Sequence, residues 1–122
     1  MDNRLYPLRR LVFILIDTIE FVTHRLQVIT VRQTITFRDW LDRLKDGAAA
    51  RRIVQRLARI EIGNFGDVKF FDGIGELRID AGPGYRVYFV RKGLVVVVIL
   101  CGGDKSSQRR DIMKAMEMAK EV

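Results

Sequence analysis

The fold of this chain is decided by residues 75–105, which read GELRIDAGPGYRVYFVRKGLVVVVILCGGDK. Apolar and polar side chains alternate over residues 76–80 and 85–90, a pattern that predicts two strands with one buried face each. The turn between them holds Gly82 and Gly84 around a proline, and glycine accepts the positive φ that tight turns need. The two strands are therefore predicted to be neighbours in one sheet.

A third strand is predicted directly after them. Residues 91–93 read RKG and are expected to turn the chain. Residues 94–100 form an unbroken apolar run, which is typical of a strand buried on both faces. Residues 101–105, CGGDK, then leave this strand as an expected flexible loop.

The polar side of these strands carries the candidate functional residues. Arg78 and Arg86 belong to neighbouring strands and are expected to project from the same face, and Lys105 follows in the loop. A guanidinium can hold a phosphodiester through its planar fork, and cations stabilise charge on the phosphate oxygens during cleavage. Glu76 and Tyr85 are the candidates for proton transfer, with Lys105, another tyrosine or no side chain as alternatives.

A structural interpretation of the same arginines stays open at this stage. Arg78 and Arg86 can equally form salt bridges with Glu76 and Asp80, both of which lie on the same predicted face. The sequence alone does not choose between ion pairing and phosphate binding.

Two helices are predicted upstream of the sheet. Residues 31–36 have strand composition, and Thr36 is placed to cap a helix over residues 37–44. A second helix is expected over residues 48–62 and is followed by Gly63. Two antiparallel helices joined by a short turn would cover one face of the sheet.

Further arginines form two groups that we interpret either as RNA contacts or as solvated surface charge. Between residues 48 and 63 the only acidic residue is Glu61, and unbalanced arginine favours phosphate contact over a mixed-sign surface. A last helix is predicted from Ser106 or Ser107 to about Lys120. The candidate RNA-binding residues on the two helices are Arg51, Arg52, Arg56, Arg59, Arg109 and Arg110.

Residues 1–30 do not continue this pattern. The apolar run at residues 11–16 is interrupted by Asp17 and Glu20, and it is much shorter than the roughly 20 residues that span a bilayer. Apolar residues recur at helical spacing, so one interpretation is an amphipathic helix and the other is an artefact of an upstream start codon. We treat residues 1–30 as an N-terminal extension, which could lie over the sheet as a lid, and residues 31–122 as one domain.

Composition limits the classes of function. A chain of 122 residues with 48% hydrophobic content makes one core, and its net charge of +7 favours a polyanionic partner such as RNA or DNA. One cysteine and one histidine exclude an internal disulfide and a His/Cys metal cluster, so no metal or cofactor is expected. The chain contains no phosphate-binding P-loop, no dinucleotide fingerprint and no Ser/His/Asp arrangement.

Four segments resemble the RelE/ParE superfamily of toxins, and most closely its HigB-like "addiction module killer" branch. They are TFRDWLDRLKD, GNFGDVKFFDGIGELRID, GPGYRVYFV and LCGGDKSSQRRDI, in that order and spacing. The resemblance covers residues 31–122. It implies an α+β domain with a mostly antiparallel sheet, two N-terminal helices packed on one face and a short C-terminal helix.

The resemblance also implies a function. RelE-type members are toxins of type II toxin–antitoxin modules that cut mRNA in the ribosomal A site, and a partner antitoxin, here expected to carry a helix-turn-helix domain, neutralises them. Arg86 falls on the family arginine that contacts the scissile phosphate, while Arg78 and Lys105 fall on neighbouring basic positions. The expected protein is thus a cytoplasmic, ribosome-dependent endoribonuclease without a membrane partner. ParE members share the fold but poison DNA gyrase without cleaving RNA, and this is the alternative.

Overall fold

Residues 28–122 are the part of the chain that the structure, a computed structural model, describes. A short 3-10 turn, residues 105–107, precedes the last helix. The strands and α-helices of this part are, in chain order, β1 (Thr30–Gln33), α1 (Ile35–Arg43), α2 (Gly47–Ile60), β2 (Val68–Phe71), β3 (Ile74–Ile79), β4 (Tyr85–Lys92), β5 (Val96–Asp104) and α3 (Gln108–Glu121).

The strands form one sheet in the order β1-β5-β4-β3-β2. β1 runs parallel to β5, and the other three pairs are antiparallel. Helices α1 and α2 pack on one face of the sheet, and α3 packs on the other. The expected α+β class, with two helices on one face and a C-terminal helix, is confirmed.

Each face of the sheet has its own apolar core, because the period-2 alternation of the strands sends side chains to both sides. Phe37 of α1 and Ile53 of α2 are fully buried against the first face, together with Leu77 and Val87 of the sheet. The second core is smaller and lies under α3. It consists of Ile74, Tyr88, Val90, Leu100, Cys101 and Ala115, with partly buried residues around them.

Helix α1 begins two residues earlier than expected. Its cap is Thr34, whose Oγ1 accepts a hydrogen bond from the Phe37 N–H at 3.1 Å. The same hydroxyl donates to the Leu100 carbonyl at 2.6 Å. The second bond crosses from the first helix to β5, so the long-range contact selects Thr34 over Thr36 as the cap.

Strand β2 was not predicted from the sequence, where the first strand expected after the two helices covers residues 76–80. Val68–Phe71 pairs antiparallel with β3, and Asp72 and Gly73 connect the two strands with φ values of 49° and 82°. Two successive residues with positive φ make a type I′ hairpin turn, for which Asp-Gly is a preferred pair. The Asp-Gly dipeptide was therefore the signal that could have revealed this strand.

The third predicted strand is displaced along the chain. β4 extends to Lys92 and β5 begins only at Val96, while Leu94 is 79% exposed in the turn. At its other end β5 continues through both glycines to Asp104, and Lys105 begins the 3-10 turn, so the expected flexible loop at residues 101–105 is wrong. Pairing of Arg86 with Gly103 and of Tyr85 with Asp104 holds this end in the sheet.

A β-bulge interrupts β5 at Leu100. Tyr88 pairs with Cys101 and Phe89 pairs with Ile99, so Leu100 is an extra residue that has no paired residue on β4. A bulge of this kind resets the alternation of the strand. Beyond it, Gly102 faces α1 and Gly103 faces α3.

Both glycines lie under a neighbouring side chain. A Cβ on Gly102 would lie 2.5 Å from the Trp40 ring, and one on Gly103 would lie 1.8 Å from Asp111 Oδ2. These distances are far shorter than van der Waals contact, so glycine is needed for the close approach of α1 and α3 to β5.

Cys101 has the environment of a buried hydrophobe. Its side chain is 2% exposed and contacts the Asp111 carbonyl, and burial raises the pKa of the thiol from 9.0 to about 11. The folded protein therefore keeps a proton on Cys101 that the unfolded chain loses above pH 9, so stability falls as the pH rises from 9 to 11.

We expect the wild type to lose up to about 2 kcal/mol more free energy of unfolding over this pH interval than a Cys101→Ala variant. Urea denaturation of both proteins at pH 8, 9, 10 and 11 measures the difference. The variant is less stable at every pH because it lacks the sulfur, and only the slope with pH is compared. Equal slopes of the free energy of unfolding against pH in the two proteins would show that the thiol has the same pKa in the folded and the unfolded chain.

The predicted N-terminal extension lies outside the described residues, except for its last three. Of these, Ile29 is 3% exposed within the core, and its N–H donates to the Glu61 carbonyl at 2.8 Å. Thr30 already begins β1. A truncation that is meant to remove only an extension must therefore retain Ile29.

Candidate active site

The two candidate arginines are direct cross-strand neighbours. Arg78 of β3 pairs with Arg86 of β4, so both side chains leave the same face of the sheet, the face on which α3 packs. Arg86 in turn pairs with Gly103 of β5. Like charges directly opposite each other in a sheet are destabilising, so this pairing lowers stability unless an anion lies between them.

The inner nitrogens of both guanidinium groups lack hydrogen-bond partners within residues 28–122. The Nε–H groups of Arg78 and Arg86 are buried and donate to no acceptor in this part of the chain. A buried donor without a hydrogen-bond partner is unfavourable, so each of these inner nitrogens lowers stability where it lies. Arg86 uses Nη1 to donate to the Tyr85 carbonyl at 3.2 Å.

Glu76 lies on the same face as the arginine pair but is covered. It is 1% exposed, and its Oε2 accepts hydrogen bonds from the Tyr88 hydroxyl at 3.0 Å and from Gln108 Nε2 at 2.9 Å. Its Oε1 lies 3.8 Å from Arg78 Nε. Burial, reinforced by the Glu76 carboxylate, raises the pKa of the Tyr88 phenol, which therefore remains a donor to Glu76 at neutral pH.

Lys105 and Arg86 flank the same turn. A Cβ on Gly84 would lie 3.5 Å from Arg86 Nη1 and 3.7 Å from Lys105 Cβ. Lys105 is exposed at the start of the 3-10 turn. The structure thus brings three of the predicted residues, Arg78, Arg86 and Lys105, to one corner of the sheet.

Tyr85 is not part of this cluster. It precedes Arg86 in β4, and its side chain points to the opposite face, where its ring packs edge-on against Trp40 with centroids 6.2 Å apart. Burial, with the nearby charges of Asp46 and Asp104, raises the pKa of its phenol. Tyr85 is therefore better explained as a core residue than as a proton-transfer group.

The arginines of α2 lie on the other side of the sheet from the arginine pair. Arg51, Arg52 and Arg59 are exposed on that helix. Arg52 donates to the backbone carbonyl of Asp80. The structure therefore does not join these residues to the site, and any RNA contact made by them would be a separate one.

Arg56 has a structural role that its sequence context does not indicate. Its Nη1 donates to the Arg78 carbonyl at 2.6 Å, and its Nη2 donates to the carbonyls of Phe65 and Asp67 at 2.9 and 3.0 Å. Burial lowers the pKa of its guanidinium. These bonds join α2 to the backbone of β3 and to the loop between α2 and β2. They explain the presence of Arg56 better than an RNA contact does.

Replacing Arg56 by methionine, which keeps the apolar stem, is expected to lower the free energy of unfolding by about 2 kcal/mol, because charge-assisted bonds to three carbonyls are lost. Chemical denaturation followed by circular dichroism measures the change. Arg59→Met is the matched control on the same helix and should stay within about 0.5 kcal/mol of the wild type. Equal stability of the two variants would contradict the structural role.

Arg109 and Arg110 occupy the first turn of α3. Both are exposed, and Arg110 Nε lies 4.0 Å from Asp111 Oδ1. They border a surface hollow next to the 3-10 turn that carries Lys105. Their position agrees equally with an RNA contact near the site and with solvated charge, so the RNA-binding prediction stays open for both.

Two polar residues at the site were missed. Gln108 reaches Glu76 from the start of α3, and Asp111 is 7% exposed with its Oδ2 2.5 Å from the Ser107 hydroxyl. Gln108 joins the beginning of α3 to the sheet beside the arginine pair, whereas Asp111 bonds within the start of α3 and packs over Gly103 of β5. Neither has a sequence signal, because polar residues at the start of a helix are usual.

No protein-family model matches the chain. An uncharacterized protein of Haemophilus influenzae is 50% identical over 95 residues, which cover 77% of this chain and 96% of that protein. The chain belongs to the family of that protein. Because this member of the family is itself uncharacterized, the assignment carries no activity, and a function has to be argued from the chemistry of the site.

Two features are absent from residues 28–122. In that range no helix combines the length and apolar character needed to cross a membrane. The same residues contain no group of three His, Cys, Asp or Glu side chains arranged to hold a metal ion.

Proposed function

We propose that this protein is the toxin of a type II toxin–antitoxin module and cleaves mRNA on the ribosome. The observation that supports this proposal is the cross-strand pair of Arg78 and Arg86, with two buried Nε–H donors that lack partners in the described part of the chain. Such a pair is unfavourable in isolation and suits a phosphodiester. Sequence resemblance to RelE-type toxins supports the same substrate.

The proposed reaction needs only the RNA itself and cationic side chains. The ribose 2′-oxygen attacks the adjacent phosphorus and loses its proton to a base, the bond from phosphorus to the 5′-oxygen breaks, and that oxygen takes up a proton. A 2′,3′-cyclic phosphate and a 5′-hydroxyl result. Arg78 and Arg86 hold the non-bridging oxygens, and Lys105 neutralises charge that develops in the transition state.

The geometry limits which side chains could accept the proton of the 2′-hydroxyl. Glu76 is covered and already accepts two hydrogen bonds, and Tyr85 lies on the other face. Of the groups named from the sequence, Lys105 is the one that is exposed beside the arginine pair. Activity by phosphate positioning and charge stabilisation, with Lys105 acting as a cation and the 2′-hydroxyl proton passing to an RNA group or to water, is consistent with this arrangement.

Partners and location follow from the proposal. A ribosome-dependent nuclease acts in the cytoplasm, and a helix-turn-helix antitoxin from the neighbouring gene would neutralise it. The net charge of +7 favours association with ribosomal RNA.

Primer extension on cellular mRNA after brief induction of the full chain tests the proposal. We expect new 5′ ends within translated codons. We expect these ends to disappear when translation initiation on the probed mRNA is blocked. Intact mRNA together with broken DNA would reject the nuclease and favour a ParE-like gyrase poison. Intact mRNA and intact DNA would reject both activities.

A further inference from the structure

We propose that Glu76 is a positioning residue that holds the guanidinium of Arg78 toward the substrate phosphate. This inference deepens the proposed nuclease function and rests on it. Glu76 is the buried carboxylate at the centre of a cluster formed by Arg78, Tyr88 and Gln108, from β3, β4 and α3.

The contacts of Arg78 orient its side chain. Two carboxylates approach the guanidinium, and the closest atom of Arg78 to each is Nε: Glu76 Oε1 lies at 3.8 Å and Asp67 Oδ1 at 3.9 Å. A guanidinium held at its inner nitrogen presents its terminal fork away from the holding group. The side chain is 41% exposed, so the fork is accessible to a phosphate.

Burial makes the attraction of Arg78 to Glu76 stronger than its attraction to Asp67. The Glu76 side chain is 2% exposed, whereas the Asp67 side chain is 64% exposed. Attraction between charges at nearly equal distance is much stronger away from water, and exposed pairs contribute little. Glu76 is therefore expected to determine the orientation of Arg78, and Asp67 provides a matched control.

The other two partners fix the position of Glu76 itself. The Tyr88 hydroxyl and the Gln108 amide both donate to Oε2, which leaves Oε1 directed at Arg78. Gln108 is the first residue of α3 and follows the 3-10 turn that begins with Lys105. One carboxylate thus connects the orientation of Arg78 to the placement of the segment that carries Lys105.

Glu76→Gln and Asp67→Asn are the variants that test this role, both prepared in the full chain. We expect Glu76→Gln to lower kcat for ribosome-bound mRNA about tenfold, because a misdirected guanidinium stabilises the transition state less well. We expect Asp67→Asn to leave kcat within about twofold of the wild type. The pH profile of kcat should keep its shape in Glu76→Gln, whereas removal of a general base would abolish its acidic limb.

A second readout needs no RNA. The nitrogen-15 NMR signal of Arg78 Nε–H should shift in Glu76→Gln and stay in place in Asp67→Asn. If Glu76→Gln fails to fold, Tyr88→Phe removes one donor to Glu76 while keeping the shape of the ring, and the same loss of kcat and the same shift are expected from it.

The outcomes separate this inference from the function on which it rests. Absence of mRNA cleavage by the wild type would reject the nuclease function itself, whereas full cleavage by an Arg86→Ala variant would reject the assignment of the arginine pair as its site. If Arg86→Ala is inactive and Glu76→Gln matches Asp67→Asn in both kcat and the Arg78 signal, the nuclease stands and the positioning role is overturned. Loss of the acidic limb in Glu76→Gln would also overturn it, in favour of a role as base.

Discussion

Replacement of Arg86 by alanine is expected to reduce mRNA cleavage at least about a hundredfold, the loss that follows removal of one group that stabilises a developing negative charge. Arg86 lies opposite Arg78 and beside Lys105, so it is the central member of the three cations. The same substitution removes a like-charge neighbour from the sheet, so stability should be unchanged or rise by up to about 1 kcal/mol. Loss of activity with retained stability distinguishes a functional arginine from a structural one.

Two measurements test this prediction: cleavage of a translated reporter mRNA and chemical denaturation of the purified variant. Arg59→Ala is the control, because it removes the same charge from α2 on the opposite side of the sheet. We expect Arg59→Ala to retain cleavage within a few-fold. If both variants lost activity equally, the effect would come from net charge and not from the site.

Replacement of Gly103 by alanine is expected to lower the free energy of unfolding by about 3 kcal/mol, the upper part of the range for overpacking. The new Cβ would lie 1.8 Å from Asp111 Oδ2 and 2.8 Å from Ser107 Oγ. Asp111 would have to leave its buried position and give up its hydrogen bond with Ser107. The start of α3 would then separate from β5.

Equilibrium urea denaturation measures the effect, and Gly47→Ala is the matched control. Gly47 is the first residue of α2, and a Cβ there would meet Arg51 Nη1 at an ordinary 3.6 Å. We expect this control to be neutral or stabilising by up to about 1 kcal/mol. A Gly103→Ala protein as stable as the Gly47→Ala protein would show that α3 does not approach β5 as closely as described.

Much of the fold could be predicted because local patterns and long-range packing agree. Alternation over residues 76–80 and 85–90 predicted β3 and β4, and the apolar spacing after Ala48 predicted α2, since each element buries one face. Errors arose where a distant contact decides the outcome. The bond from Thr34 to Leu100 moved the start of α1, and pairing with β3 made a strand of Val68–Phe71.

The site was predictable in part for a similar reason. Pleat geometry alone placed Arg78 and Arg86 on the same face. The burial of Glu76 could not be read from the sequence, because an acidic residue at a polar strand position is usually exposed and its cover comes from α3, 32 residues away. Likewise, nothing local distinguishes Arg56, which holds three carbonyls, from Arg59 one helical turn later on α2.

The extra residue at Leu100 makes the length of β5 matter more than its composition. A valine exchanged for isoleucine between Val96 and Val98 changes volume only slightly. Loss or gain of one residue there would instead move Gly102 and Gly103 to the opposite faces of the sheet. Side chains of other residues would then occupy the space that Trp40 and Asp111 now fill. Homologues that keep both helices docked should therefore vary freely in apolar side chains along this segment while preserving its residue count.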